Sequence, residues 1–443
     1  MSLRSEPVAR IEDLTDPGRN RLYDLSVEEA RRILADGTAE DVLGIEGSFA
    51  LVASRGEVVR LARSLDRPLR YFLAKQTDGP LLVVADRIDG IHARLAALGI
   101  ADQFHPSYTR MVPAHHVVEI RLVGCPDPLP AYRRFFAPKR GTLPADPDAI
   151  GAAYVGALAE EIRKWVARLD PREPIGVCFS GGIDSGAVLL VTEHVLRGLG
   201  ASPARLKAFT LDAGGAADLA QARRFLEECG RPFYLETIEA DPSAIDPAGA
   251  VRVIEDYKPL DVESAAMAIA LCRGIRQRYP EWRYLVDGDG GDENLKDYPI
   301  EENRELTIRS VLSNPMLYQE GWGVGSVKHS LTYSGGQSRG CTRTYAPLAR
   351  FGFEGFSPFT RPSVVAAAEA IPFIALTDWT PARLYALKGE VVARGVAAVT
   401  GVRMPVFPKR RFQDGALASP PPRDRDAAEA AYRRELLSQY AGT

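Results

Sequence analysis

The sequence predicts an α/β protein in two parts, a smaller α+β domain and then a larger domain built on a parallel sheet. Three observations carry that reading. Short β-rich runs broken by turns fill the first 125 residues. A proline-rich stretch from Cys125 to Pro147 separates them from the rest of the chain. From Ile175 onward, short apolar runs take turns with helix-like segments, the rhythm of strands covered on both faces by helices.

Taken in order, residues 48–53, 57–61 and 81–85 read as strands, and His116–Leu122 alternates like a strand with one buried face. Residues 126–147 read as a linker, at whose end Asp146 or Asp148 is placed to cap a helix over 149–168. Ile175–Phe179 is apolar without alternation, as expected of a strand buried on both sides. Next come helix Gly186–Leu199, strand Leu206–Leu211, helix Ala217–Cys229, strand Pro232–Thr237, helix Ala265–Arg278 and a short strand at Tyr284–Val286. Arg304 to Gly415 reads as helices joined by long loops, and the proline-led tail is polar. The expected limits are therefore 1–125, a linker over 126–147, 148–415, and a tail over 416–443.

Composition narrows the function. The chain has 443 residues, with 55 Lys and Arg against 58 Asp and Glu, a formal net charge of -3. Nothing in that balance calls for a nucleic-acid or membrane partner. The 5 cysteines include no Cys-x-x-Cys pair and read as buried thiols, and the 6 histidines show no zinc spacing. The amino terminus lacks the apolar core of a signal peptide, and no apolar run is long enough to span a bilayer. A cytoplasmic enzyme acting on small molecules is the expectation, and a homodimer stays open.

Two loops carry the chemistry. Ser180-Gly181-Gly182-Ile183-Asp184-Ser185 stands between a buried strand and a helix. Its glycines let the backbone approach an anion, and its amides and helix start face phosphate oxygens. Ser180 and Ser185 add hydroxyls, and Asp184 can hold a magnesium ion. A bare Ser-Gly-Gly would be a plain turn; Ser334–Ser338 is such a case, with no aspartate and no preceding apolar strand. The second loop, Asp287-Gly288-Asp289-Gly290-Gly291-Asp292-Glu293, comes after the strand Tyr284–Val286 and offers four acids among glycines, hard ligands suited to Mg²⁺.

The first loop resembles the pyrophosphate-binding loop of N-type ATP pyrophosphatases, and the two together resemble asparagine synthetases and the β-lactam and carbapenam synthetases. That resemblance implies a parallel-sheet ATP pyrophosphatase (adenine nucleotide α-hydrolase-like) synthetase domain using ATP and Mg²⁺. Asp184 and Asp292 then match the metal-binding aspartates, with Glu293 beside the second. Ser180, Gly181, Gly182, Asp184, Ser185, Gly288 and Asp289 would line the nucleotide, and Leu211 and Asp212 fall where the family's main chain meets adenine. Gly352–Phe359 resembles the family's G-x-E-x-R-x-P-F segment, so Glu354 matches a glutamate able to take a proton from an attacking amine. Val406–Gly415 resembles the R-Q-K-x-x-F-S-D-G stretch, so Lys409 matches the active-site lysine and Lys388 a second lysine before it.

The front of the chain is similar to the family's Ntn-like glutaminase domain at Gly47–Ala50 and Leu61–Leu69. The nucleophilic cysteine expected after Met1 is replaced by Ser2, the glutamine-binding segment is missing, and the front is shorter by some tens of residues. The implied domain is degenerate, without glutaminase activity. Where asparagine synthetases carry T-T-x-R this chain reads Leu260-Asp261-Val262-Glu263. Aspartate is therefore not the expected substrate, and a cationic or amine-bearing one is favoured. The implied reaction is ATP-dependent amide-bond formation between a small carboxylate and ammonia or an amine, with release of AMP and pyrophosphate. The alternatives are a cyclase like the β-lactam synthetases, for which Tyr318 and Tyr333 fall in no matching motif, and an inactive nucleotide-binding scaffold.

Overall fold

The computed structural model describes residues 10–77, 79–122, 129–297, 300, 307–314, 341–408 and 425–440. Their contacts divide into two units, one formed mainly by residues up to Ala137 and the other by Pro138 onward.

In the first unit the strands are β1 (Arg10–Asp13), β2 (Arg21–Leu22), β3 (Gly47–Ser48), β4 (Ala50–Arg55), β5 (Val58–Arg63), β6 (Arg70–Gln76), β7 (Gly79–Ala85), β8 (Arg110–Met111), β9 (His116–Arg121) and β10 (Ala131–Arg134). They form two four-stranded sheets, ordered β1-β7-β6-β8 and β10-β9-β5-β4, beside the small β2-β3 pair. Strand β7 shows how pattern becomes layer. Leu82 and Val84 join Val59, Leu61 and Val118 of the other sheet in one core. Leu81, Val83 and Ala85 point the other way, against Ile91 and Leu95 of a helix over Ile88–Ala97. This helix is α3; α1 (Val27–Asp36) and α2 (Ala39–Leu43) precede it. Helix α1 starts on a Ser26–Glu29 capping box. Its end is tied to the second sheet, because Arg60 of β5 donates to the carbonyls of Leu34, Ala35 and Gly37.

The expected linker is partly strand. Ala131–Arg134 pairs antiparallel with β9, so the unit extends to Ala137 rather than ending at 125. A four-residue polar run carries little strand signal on its own; its partner supplies the stability.

The second unit opens with α4 (Pro147–Val166), capped by Asp146, whose carboxylate accepts from the amides of Asp148 and Ala149. Five parallel strands come next, β11 (Ile175–Cys178), β12 (Leu206–Asp212), β13 (Leu235–Glu239), β14 (Tyr284–Val286) and β15 (Glu354–Phe356), in the order β13-β12-β11-β14-β15. The helices between them are α5 (Ile183–Gly198), α6 (Ala216–Glu228), α7 (Pro247–Ile254), α8 (Pro259–Arg278), α9 (Gly291–Asn294), α10 (Ile308–Ser313) and α11 (Ala346–Arg350). Then come α12 (Pro362–Glu369), α13 (Phe373–Thr377), α14 (Pro381–Thr400) and a last helix over Arg425–Ser438. Residues of α4, α5, α12 and α14 cover one face of the sheet. Met267, Leu271 and Ile275 of α8 and Leu348 of α11 cover the other. This two-sided burial is what the unalternating runs at 175–179 and 284–286 require.

Two expectations shift. Pro232–Tyr234 is a 3₁₀ turn, and strand β13 begins only at Leu235. Glu354–Phe356, expected within a helical region, is the fifth strand, paired in register with Tyr284–Val286. Three residues carry no readable period; β14 recruits them.

Candidate functional site

The chain order reverses at β11, whose neighbours are β12 on one side and β14 on the other. In an open parallel sheet, ligands bind at such a point, beyond the carboxyl ends of the strands. Both motif loops leave the sheet there, one from β11 and one from β14.

The β11 loop is held tightly at its base. The Phe179 amide donates to the Phe209 carbonyl at 2.8 Å, and the Thr210 hydroxyl donates to the Phe179 carbonyl at 2.9 Å. Gly181 then takes φ +71°, and a Cβ there would stand 2.8 Å from the Ala222 backbone, so both conformation and space demand glycine. Helix α5 starts at Gly182 with no side-chain cap, which leaves its 16-residue dipole facing the loop. Ser185 turns back into the loop. Its hydroxyl accepts from the Ser180 amide at 3.3 Å and lies 3.3 Å from the Ser180 hydroxyl, which accepts from the Gly182 amide.

The β14 loop is pressed against the first. A Cβ at Gly288 would stand 2.9 Å from the Ser185 amide nitrogen, and one at Gly291 would run into the Asp184 carboxylate. The base of this loop is Asp287, which accepts from the Ser357 hydroxyl at 2.9 Å and from the Asp289 amide at 3.0 Å. Its far side is Asn294, fully buried, donating to the Tyr154 hydroxyl at 3.2 Å and the Phe359 carbonyl at 2.9 Å. Burial pushes the Tyr154 phenol well above its ordinary range, so it stays neutral.

Lys388 of α14 brings the two loops to one point. Its ammonium donates to Asp184 at 2.6 Å and to Asp292, and lies 3.5 Å from Asp297. Burial by itself would lower this lysine, but the charges of Asp184, Asp292 and Asp297 carry it well above its ordinary range. Asp184 and Asp292 are 108 positions apart (292 minus 184), yet both grip one cation. Among the described residues no group of three or more His, Cys, Asp or Glu is arranged to hold a metal ion. A pair of carboxylates around a common cation nevertheless fits Mg²⁺, which takes one or two protein carboxylates and completes its shell with water and phosphate oxygens. Asp184 and Asp292 would hold it. Burial also raises the Asp289 carboxyl, opposed by the charge of Arg343 and a 2.5 Å hydrogen bond from the Thr344 hydroxyl.

The structure thus gathers Ser180, Gly181, Gly182, Asp184, Ser185, Gly288, Asp289, Asp292, Glu293 and Lys388. Leu211 and Asp212 end β12 beside them. Leu211 is buried in the core, while the Asp212 carboxylate accepts from the Gly214 amide and its carbonyl from the Ala240 amide. Glu354 is not brought to the cluster. It stands level with Tyr284, at the amino end of β14, and its carboxylate accepts from Arg283 at 2.6 Å. Three strand residues, about 10 Å, separate that edge from the loop. Its place in the register, not the local motif, decides this. Lys409, Tyr318, Tyr333 and the loop Ser334–Ser338 lie outside the described residues.

Four residues that motif reading misses belong here: Asp297, Arg343, Thr344 and Ser357. Asp297 lies just beyond the acidic motif and Ser357 inside Gly352–Phe359 at a position the family pattern leaves free; no spacing signal marks Arg343 or Thr344. Arg343 also changes the reading of Leu260–Glu263. Asp261 is buried at the start of α8, 3.7 Å from the Arg343 guanidinium, so it does not confront a substrate as a bare charge.

A parallel sheet with a glycine turn and an acidic loop converging at its switch point defines an α/β domain with a ligand-binding crevice at the carboxyl ends of its strands. Comparison with known proteins narrows the class. Residues 157–336 match the sequence profile of the asparagine synthase family. Asparagine synthetase [glutamine-hydrolyzing] 1 of Lotus japonicus is 24% identical over 176 residues, 38% of this chain and 28% of that protein. The nodule enzyme of Pisum sativum is 28% identical over 162 residues, 35% and 26% of the two chains. The asparagine synthetase of Triphysaria versicolor is 23% identical over 261 residues, 57% and 39%. The matched region is similar to the asparagine synthase family and to these synthetases. The matches span between 26% and 39% of the length of these three relatives.

Proposed function

We propose that this chain is an ATP-dependent carbon–nitrogen ligase that activates a small carboxylate as its acyl-adenylate, releasing pyrophosphate, and passes the acyl group to ammonia or an amine with release of AMP. The observation that carries this is the convergence of Asp184 and Asp292 on one cationic point, beside the uncapped start of α5. A magnesium ion there would neutralise phosphate charge and favour pyrophosphate as the leaving group. The residues of the chain do the rest. The amides of the Ser180–Ser185 turn bind and orient the phosphates, and Lys388 supplies a buried positive charge to the oxygen that becomes anionic as the phosphoanhydride bond breaks. Lys409 is proposed for the same task on the acyl side. Glu354 is left out as proton acceptor, because Arg283 holds it at the other edge of the sheet.

In this reading the substrate is not aspartate. The first unit serves as a packing platform and not as a glutaminase. Its two sheets between helix layers support an Ntn-like ancestry. Arg63 of the Leu61–Leu69 motif is fully buried and donates to the carbonyls of Val112, Ser64, Leu65 and Arg67, so it serves the fold. Cyclisation of one molecule carrying both groups remains a variant of the same chemistry.

The test is carboxylate-dependent exchange of labelled pyrophosphate into ATP, screened over small acids. The wild-type chain should support exchange with at least one acid, and Asp184→Asn should lower it by about 10²-fold or more. Nucleotide binding without exchange for any acid would favour the scaffold instead.

A further inference from the structure

The turn Cys341–Tyr345 is a single π-helical turn leading into α11, a distortion that concentrates at functional positions. Two consecutive side chains of this turn reach the acidic loop. The Thr344 hydroxyl donates to Asp289 at 2.5 Å, and the Arg343 guanidinium donates to Glu293 at 2.8 Å while lying 3.7 Å from Asp261. The three ionic side chains are largely out of water, at 17% exposure for Arg343, 4% for Asp261 and 2% for Glu293. Such a network holds one geometry, because moving any member leaves a buried charge without its counter-charge.

The spacing of the contacts matters. Asp289 lies on the rising limb of the loop and Glu293 in α9, on either side of the Gly290–Gly291 bend whose backbone sits against Asp184. Gly290 takes φ +105°, so the bend itself resists little; side chains outside it must set its position. Asn294 and Ser357 fix the back and the base of the loop, and the 343–344 turn fixes its remaining side.

We propose that Arg343 and Thr344 are positioning residues, which hold Asp289 and Glu293 so that Asp292 faces Asp184 across the nucleotide–metal site. The proposal rests on the nucleotide-binding role proposed for that site. It also ties the site to the start of α8 through Asp261, so the nucleotide loop and this helix end move as one body.

The test uses the full chain, with Mg²⁺ and a non-hydrolysable ATP analogue measured by calorimetry, beside thermal melting of the ligand-free protein. Thr344→Val removes one hydrogen bond to a carboxylate and should weaken analogue binding about tenfold with little change in melting temperature. Thr344→Ser keeps the hydroxyl and should restore it. Arg343→Lys keeps the charge but loses the two-acid fork and should fall between Thr344→Val and the wild type. In turnover, the losses should appear in KM for Mg–ATP and not in kcat. Thr344→Val binding the analogue as the wild type does would overturn the proposal, as would a loss that follows melting temperature and is not rescued by serine. Absence of binding by the wild-type chain would instead overturn the nucleotide-binding role on which it rests.

Discussion

Lys388 is the residue on which the site turns. It is 2% exposed, and it faces three aspartates. Without a ligand the ammonium offsets the mutual repulsion of Asp184 and Asp292; with a divalent ion between those carboxylates, the same charge would be available to phosphate. Lys388→Met should therefore separate two properties. Ligand-free protein should lose about 3–5 kcal/mol of stability, the penalty for buried charge that has lost its partner. Mn²⁺ alone should bind the variant at least tenfold more tightly than the wild type and restore its melting temperature, because the ion no longer competes with a tethered cation. Calorimetry and melting curves with and without Mn²⁺ check this; a variant whose melting ignores the metal would show that the two aspartates do not form a cation site. The lysine is legible in the sequence only through its family match, since nothing local distinguishes a lysine in a helix that will be buried from one that will be solvated. Asp184 and Asp292 are easier, because their glycine-rich settings have few structural uses.

At the scale of elements, register decides what motif matching leaves undecided. Glu354 falls on a family glutamate when read along the chain, yet β15 pairs Glu354 with Tyr284 and Phe356 with Val286, so only the end of this strand reaches the site. There Ser357 supports Asp287. Glu354→Gln should leave pyrophosphate exchange and AMP release at wild-type rates and cost no more than about 1 kcal/mol, as for a solvent-facing ion pair. Slowed AMP release with normal exchange and unchanged melting would return Glu354 to the chemistry as the amine's proton acceptor. The legible elements carry redundant signals: Asp146 and Pro147 start α4, and an unalternating apolar run marks β11. Of the elements the sequence reading does not place, β10 and β15 are short strands whose stability comes from a neighbour, and β6 (Arg70–Gln76) is a longer strand that it also passes over.

Across the molecule, buried thiols leave a measurable mark on alkaline stability. Among the described residues Cys178, Cys229 and Cys272 are unpaired with one another, and no helix is long and apolar enough to cross a membrane. Burial raises all three thiols, Cys229 to about 11. In the unfolded chain such thiols ionise near ~8.5, so the stability they contribute is complete below that pH and is lost as pH rises towards the folded value. Melting temperature should hold to about pH 8.5 and then decline, and Cys229→Ala should make the decline shallower. An unchanged decline in that variant would show that its thiol is not held protonated by the fold. The two-part α/β order, the glycine loop and the acidic loop are determined by sequence alone, because strand burial, glycine conformation and carboxylate chemistry act over a few neighbouring residues. The meeting of Asp184 with Asp292 on Lys388, the removal of Glu354 from the site and the entry of Arg343 and Thr344 were decided only by tertiary structure. These depend on which strands lie side by side and in what register, a choice made by the packing of the whole sheet.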